Sequence, residues 1–182
     1  MTASTELWLV RHGETTSNAS RRLAGWSDPP LTEAGRRQAV ALREVLEENR
    51  FNEVWSSDLE RAVTTARLAW GDARPDARLR EINFGDLEGL SYDQVDLAFA
   101  QVFLEFRDFR IPGGESHHEF RGRVHGFVDA LEPGRYLLFV HGGVVRILTQ
   151  DLGLDRFVDT GTVVGMDWTG RRLLFVRAPD GA

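Results

Sequence analysis

The sequence predicts a three-layer α/β/α fold built on a mainly parallel central sheet. Apolar runs of strand length at residues 6–10, 54–56 and 135–140 alternate with segments whose apolar residues repeat at helical spacing. Strands separated by helices form parallel sheets covered on both faces. Size agrees: 182 residues, 42 % of them apolar, suffice for one ordinary core. No Pro/Gly/Ser-rich linker divides the chain, so residues 1–182 are read as a single domain.

The elements follow in order. Glu6-Leu7-Trp8-Leu9-Val10 is a buried strand ending at Arg11-His12-Gly13, where glycine allows a sharp turn and leaves room for a ligand close to the main chain. Asp28-Pro29-Pro30 breaks the chain, and Thr32 caps a helix reaching about Asn49. Its residues Leu31, Ala34, Ala41, Leu42, Val45 and Leu46 fall largely on one face. Val54-Trp55-Ser56 is a short strand, and Ser57-Asp58 caps a helix over residues 59–70. Residues 78–84 read as a further extended segment, ended by Gly85.

One helix over residues 91–109 carries the aromatic stripe Tyr92, Phe99, Phe103 and Phe106, expected in the core from its periodicity. Ser116 caps the next helix, which has Phe120, Val124, Phe127 and Val128 on one side. The preceding Gly113-Gly114-Glu115 either borders a pocket or is an ordinary loop. Residues 135–140 form the most apolar strand, ending at His141-Gly142-Gly143, and a helix over residues 144–152 follows. Two strands around Thr169-Gly170 close the chain as a hairpin.

Composition excludes several chemistries. There is no cysteine, hence no disulfide, thiolate metal site or cysteine nucleophile. All 22 basic residues are arginine, so Schiff-base catalysis and a Walker-type phosphate loop are excluded too. A formal net charge of −6 argues against nonspecific nucleic-acid binding, which rests on neutralising phosphates. Residues 1–6 lack a signal-peptide apolar run, and no stretch is long enough to span a bilayer. The expected location is the cytoplasm, without a membrane partner.

In a parallel sheet, ligands gather beyond the carboxyl ends of the strands. Of five histidines, His12 and His141 both follow a buried strand and precede glycine. Arg11 stands beside the first. Arg61, one turn into the helix after residues 54–58, can grip an anion through two parallel hydrogen bonds, although spacing alone favours its pairing with Asp58. A carboxylate is needed to protonate a leaving oxygen. Glu81 is best placed, barely ahead of Asp86 and Glu88. His117, His118 and His125 have no zinc spacing and read as helix-surface or pocket-rim residues, so no metal site is expected.

Four segments occur in a telling order: Leu9-Val10-Arg11-His12-Gly13-Glu14-Thr15, Ser56-Ser57-Asp58-Leu59-Glu60-Arg61-Ala62, Leu79-Arg80-Glu81-Ile82-Asn83-Phe84-Gly85 and Val140-His141-Gly142-Gly143. Together they resemble the signature blocks of the histidine phosphatase superfamily, the phosphoglycerate mutase-like proteins. The resemblance implies that His12 is a nucleophile forming a phosphohistidine, with Arg11, Arg61 and His141 around the phosphoryl group. It implies that Glu81 protonates the leaving group and later activates water. Asn18 would donate a further hydrogen bond and Gly142 a backbone N–H, with Thr15 and Gly25 also at the substrate. No cofactor is implied.

Departures from the mutase pattern favour a phosphatase. Glu81 is followed by Ile82 where the mutases carry arginine, Ala24-Gly25 stands for their Thr-Gly, and their lysine-bearing insertion is absent. The short chain, Phe84-Gly85-x-Leu87-Glu88-Gly89 and Pro112-Gly113-Gly114-Glu115-Ser116 resemble α-ribazole phosphatases and small broad-specificity phosphatases. The expected partner is therefore a small phosphoester, with a mutase, or a noncatalytic phospholigand-binding protein, as rivals; a homodimer is left open.

Overall fold

A computed structural model describes residues 4–178. Six strands form one sheet: β1 (Thr5–Arg11), β2 (Glu53–Ser56), β3 (Arg74–Pro75), β4 (Gly134–Val140), β5 (Val163–Asp167) and β6 (Arg172–Arg177), in the order β3-β2-β4-β1-β5-β6. The first four run parallel, while β5 and β6 add an antiparallel edge. Among the described residues six α-helices accompany them: α1 (Thr16–Ala19), α2 (Glu33–Leu46), α3 (Glu60–Ala69), α4 (Leu97–Glu105), α5 (His117–Val128) and α6 (Gly142–Gln150).

Alternation along the central strands builds the layers. Leu7 and Leu9 of β1, with Leu138 and Val140 of β4, face α5 and α6, where they meet Phe120, Phe127, Val144 and Leu148. The intervening Trp8, Val10, Leu137 and Phe139 face α2 and α3, against Leu42, Leu46, Ala66 and Ala69. A strand with a period of two and both faces covered must be apolar at every position, as residues 7–10 and 137–140 are. Each such side chain, fully buried, contributes about 1.5–3 kcal/mol.

Local signals account for the helix starts. Thr32 accepts from the Gly35 N–H, and Ser116 forms a reciprocal capping box with Glu119. The loop reading of residues 113–116, with Ser116 as cap, therefore holds; these residues are absent from the cavity wall described below. Ser57-Asp58 does not cap α3 as expected. Leu59 occupies the cap position without a side-chain bond, and Asp28, from a distant loop, accepts from the Glu60 and Arg61 N–H groups instead.

Two further expectations are corrected. Residues 78–84 are not a strand: a 3-10 turn at Ala77–Leu79 leads into irregular backbone and a second 3-10 turn at Gly85–Leu87. The outer parallel partner of β2, opposite β4, is the two-residue β3 just upstream of this segment. Nor is 91–109 one helix. A 3-10 turn at Tyr92–Gln94, capped by Ser91, precedes α4, and Phe106 and Asp108 adopt left-handed backbone (φ 49° and 50°) beyond its end. Among the described residues no helix is long and apolar enough to cross a membrane.

Candidate active site

Register creates the centre of the site. Arg11 of β1 pairs with Val140 of β4, so the next residues, His12 and His141, leave the sheet side by side with ring centroids 5.1 Å apart. The His12 N–H donates to the Val140 carbonyl at 3.0 Å, and both rings are buried. Ser56 pairs with Phe139 at the same edge, and the chain leaving β2 enters α3, which carries Arg61 to the histidines.

Gly13 is needed for packing rather than for ligand room, contrary to expectation. A Cβ there would lie 2.3 Å from the Gly35 carbonyl oxygen in α2. The Gly13 N–H donates to Thr65 Oγ1 at 3.1 Å, and the Thr65 hydroxyl donates to the Arg61 carbonyl at 2.7 Å. Thr65 thus ties the turn after β1 to α3, a role that its place in an apolar helical stripe does not reveal.

The His12 ring is oriented by its own turn. Nδ1 lies 2.7 Å from the Gly13 carbonyl, an acceptor only, so the proton sits on Nδ1 and Nε2 is bare. Burial, then the charges of Arg61 and Arg11, hold its pKa well below the usual imidazole value. His141 is lowered in the same direction, by burial first and then by Arg61 and His12. Neither of its buried ring nitrogens has a protein partner.

Arg61, 2 % exposed, has a fixed fork. Nη1 donates to the Ser27 carbonyl at 2.9 Å and to Asp28 at 3.2 Å, and Nη2 donates to the Gly25 carbonyl at 2.7 Å. The expected pairing with Asp58 does not occur, because Asp58 makes a two-pronged pair with Arg80. Gly25, expected at the substrate, lies outside the cavity wall, as does the fully buried His141, and the Gly25 carbonyl holds the Arg61 fork. Arg11 donates through Nη1 to the Val158 carbonyl, while its buried Nε has no protein partner. Burial opposes both guanidinium charges and Glu81 supports both.

Glu81 faces these cations across the start of α6. Its Oε2 accepts from the Gly143 N–H at 3.0 Å and its Oε1 from the Ile82 N–H at 2.9 Å. Gly143 permits that approach, since a Cβ there would lie 2.2 Å from Glu81 Oε1. Of the rival carboxylates, Asp86 is exposed, and Glu88 is spent on the N–H groups of Trp26 and Ser27. Gly142 begins α6 and lines the cavity, so the helix N-terminus opens towards the histidines.

Thr15 and Asn18 also line the cavity. The Thr15 hydroxyl is engaged locally: it donates to Asn18 Oδ1 at 2.8 Å and accepts from the Asn18 N–H as cap of α1. With its oxygen turned to Thr15, the Asn18 amide presents NH2 as its remaining group. Thr15 therefore orients Asn18.

The cavity has a volume of about 520 Å³. Arg11, His12, Arg61, Glu81 and Gly142 form one end, and Phe84, Val95, Phe103, Leu104, Phe106 and Phe157 form its apolar walls. The aromatic stripe is thus divided, part of it lining the cavity where core was expected; Tyr92 is 45 % exposed on the wall. Phe157 was not singled out from the sequence. Its ring stands 5.2 Å from the Arg11 guanidinium carbon and is 71 % exposed at the mouth. His117, His118 and His125 all lie outside the cavity wall, and among the described residues no His/Cys/Asp/Glu group could hold a metal.

A strand-end histidine with a bare nitrogen, two buried arginines and a facing carboxylate thus meet at the carboxyl ends of β1, β2 and β4. The chain belongs to the histidine phosphatase superfamily (branch 1), which it matches over residues 7–177. A probable phosphoglycerate mutase, GpmB, from Cronobacter sakazakii is 39 % identical over 167 residues, covering 85 % of this chain and 78 % of its own. The solved structure of TTHB049 from Thermus thermophilus is 45 % identical with a TM-score of 0.91, covering 97 % of each chain. An Escherichia coli protein provisionally described as an alpha-ribazole-5'-P phosphatase is 28 % identical with a TM-score of 0.81, covering 97 % of this chain and 96 % of its own.

Proposed function

We propose that the protein is a metal-independent phosphomonoesterase that works through a phosphohistidine on His12 and releases an apolar or aromatic alcohol. The observation that carries this reading is the division of the cavity into a cationic end around the bare His12 Nε2 and a separate apolar wall. Phosphate fits the first part, and a carbon-rich leaving group fits the second.

His12 Nε2 attacks phosphorus while the bond to the leaving oxygen breaks. Arg11, Arg61 and His141 hold the three remaining oxygens as their charge redistributes, and the Gly142 N–H adds a backbone donor. The Glu81 carboxyl gives its proton to the leaving oxygen, so a neutral alcohol departs. Glu81 then takes a proton from water, whose oxygen attacks the phosphohistidine; inorganic phosphate leaves and His12 Nε2 is bare again.

The names of the GpmB relatives favour a second reading, a mutase. Isomerising a phosphoglycerate needs a cation free to hold the substrate carboxylate on the outer wall. Arg22 and Arg146 line that wall; Arg146 is committed to Asp155 and the Phe103 and Leu104 carbonyls, while Arg22 gives one donor to the Gly89 carbonyl and keeps the others. The commitment of Arg146 favours hydrolysis, and Arg22 is the cation a mutase would use.

The test is hydrolysis of aryl phosphates with a chelator present, beside interconversion of phosphoglycerates primed with the bisphosphate. Aryl phosphate turnover that His12→Ala abolishes is expected, together with a His12-linked phosphoryl group trapped by denaturation in alkali, which the acid-labile P–N bond survives. Isomerisation outrunning hydrolysis would replace this reading with the mutase. Tight phosphoester binding without a trapped phosphohistidine would point to a noncatalytic protein.

A further inference from the structure

Glu81 sits in irregular backbone. No ladder or helix holds residues 80–84, yet an acid must meet the leaving oxygen within a fraction of an ångström to work. Trp26 Nε1 donates to the Glu81 carbonyl at 3.0 Å and Arg80 pairs with Asp58, but most of the main-chain bonds on this segment come from outside the cavity, from Arg123 of α5 and Glu115 of the preceding loop.

The two side chains form a fork-to-fork ion pair: Arg123 Nε donates to Glu115 Oε1 at 2.6 Å, and Nη2 to Oε2 at 2.8 Å. Their side chains are 17 % and 14 % exposed. The remaining donor capacity of Arg123 goes to the acid's own strip of main chain. Nη1 donates to the Arg78 carbonyl at 2.9 Å and to the Arg80 carbonyl at 2.7 Å, and Nη2 donates to the Glu81 carbonyl at 2.7 Å. Glu115 grips the far side of Glu81. Its Oε2 accepts from the Asn83 N–H at 2.8 Å, and its own N–H donates to the Asn83 carbonyl at 3.0 Å. The contact is backbone to backbone, since a Cβ on Gly114 would lie 2.3 Å from the Asn83 carbonyl oxygen.

We infer that the Arg123–Glu115 pair is a positioning device for Glu81, bracketing it from residue 78 to residue 83 and doing by side chains what regular secondary structure does elsewhere in the site. This rests on the acid role proposed for Glu81. Neither residue lines the cavity, so neither meets substrate. The planar fork is essential to the device, because it bonds three carbonyls and a carboxylate at once. A lysine ammonium keeps the charge but has only three donors and no plane to set their directions.

The test uses Arg123→Lys and Glu115→Gln in the full-length protein, with kcat/KM measured over phosphomonoesters from activated aryl to alkyl leaving groups. kcat/KM reports steps up to phosphohistidine formation, where a good leaving group departs without its proton. Both variants are expected to lose on the order of 10²-fold on alkyl phosphates and little on the most activated aryl phosphate. On that aryl phosphate they should accumulate trapped phosphohistidine, because dephosphorylation also needs Glu81. An equal loss across leaving groups, or no loss, overturns the inference. Should Arg123→Lys fail to fold, Glu115→Gln decides alone, since its main-chain bond to Asn83 remains. A wild type that hydrolyses no phosphomonoester refutes the proposed activity instead, which keeps the two failures distinct.

Discussion

His12 and His141 occupy matching places at the ends of neighbouring strands, and their surroundings separate them. A carbonyl one residue away accepts a hydrogen bond from His12 Nδ1–H, which leaves Nε2 bare, whereas both buried nitrogens of His141 lack a protein partner. The first arrangement suits a nucleophile, the second a ring that bonds a ligand oxygen. Across from them, Glu81 is tied to the Gly143 N–H at the start of α6, on the side of the cavity where a leaving group departs in the proposed reaction. Glu81→Gln keeps the acceptor oxygen but cannot give or take the proton. It is expected to slow turnover of alkyl phosphates by about 10²–10⁴-fold and to matter less as the leaving group improves. A loss that stays constant across leaving groups would remove Glu81 from the acid role.

At the scale of elements, the loop at residues 25–28 does two jobs through one carboxylate. Asp28 caps α3 from outside by accepting from the Glu60 and Arg61 N–H groups, and it pairs with the Arg61 guanidinium. Arg61 is thereby fixed at both ends. Asp28→Ala should destabilise the protein by about 1 kcal/mol through the lost cap and should also weaken inorganic phosphate binding. Asp28→Asn keeps a capping oxygen, so its denaturation midpoint should return towards wild type while phosphate affinity stays reduced. If the two variants are equal in both measurements, cap and charge are not separable and this account fails. In the sequence Asp28 reads only as part of the Asp28-Pro29-Pro30 break, because its role depends on a helix more than thirty positions away.

For the whole molecule, burying two neutral imidazoles links the site to stability. His12 and His141 titrate near about 6.5 when unfolded, and both are held well below the usual value in the fold. As pH falls through that range the unfolded chain takes up protons that the folded chain refuses. Their contribution is therefore complete above about pH 6.5 and is lost as pH falls towards the folded values. His117 is shifted the same way, by burial first, and adds to the slope. The carboxylates Asp76 and Asp155, lowered by their hydrogen bonds to Arg78 and Arg146, act in a separate and more acidic window below the usual aspartate value. The urea midpoint of the phosphate-free protein should decline from pH 7 to pH 5, and His141→Asn should flatten part of that decline. A midpoint that is level over this range would refute the assignment.

The sequence by itself determined the layers and the family. Residues 7–10 and 137–140 are apolar at every position and end at glycine within three residues, as a short strand covered on both faces requires. Four ordered blocks named His12, Arg61, Glu81 and His141 because each keeps its chemically necessary residue type. It misread residues 78–84 as a strand and residues 91–109 as one helix, since apolar content and helical spacing describe a half-buried irregular segment and a cavity wall equally well. Only tertiary structure decided which carboxylate holds Arg61, why Gly13 and Gly143 must lack a Cβ, and where the aromatic residues turn from core to cavity. Those outcomes depend on contacts between segments remote in the chain, and the strength of such a contact is set by distance and burial, which a local pattern does not encode.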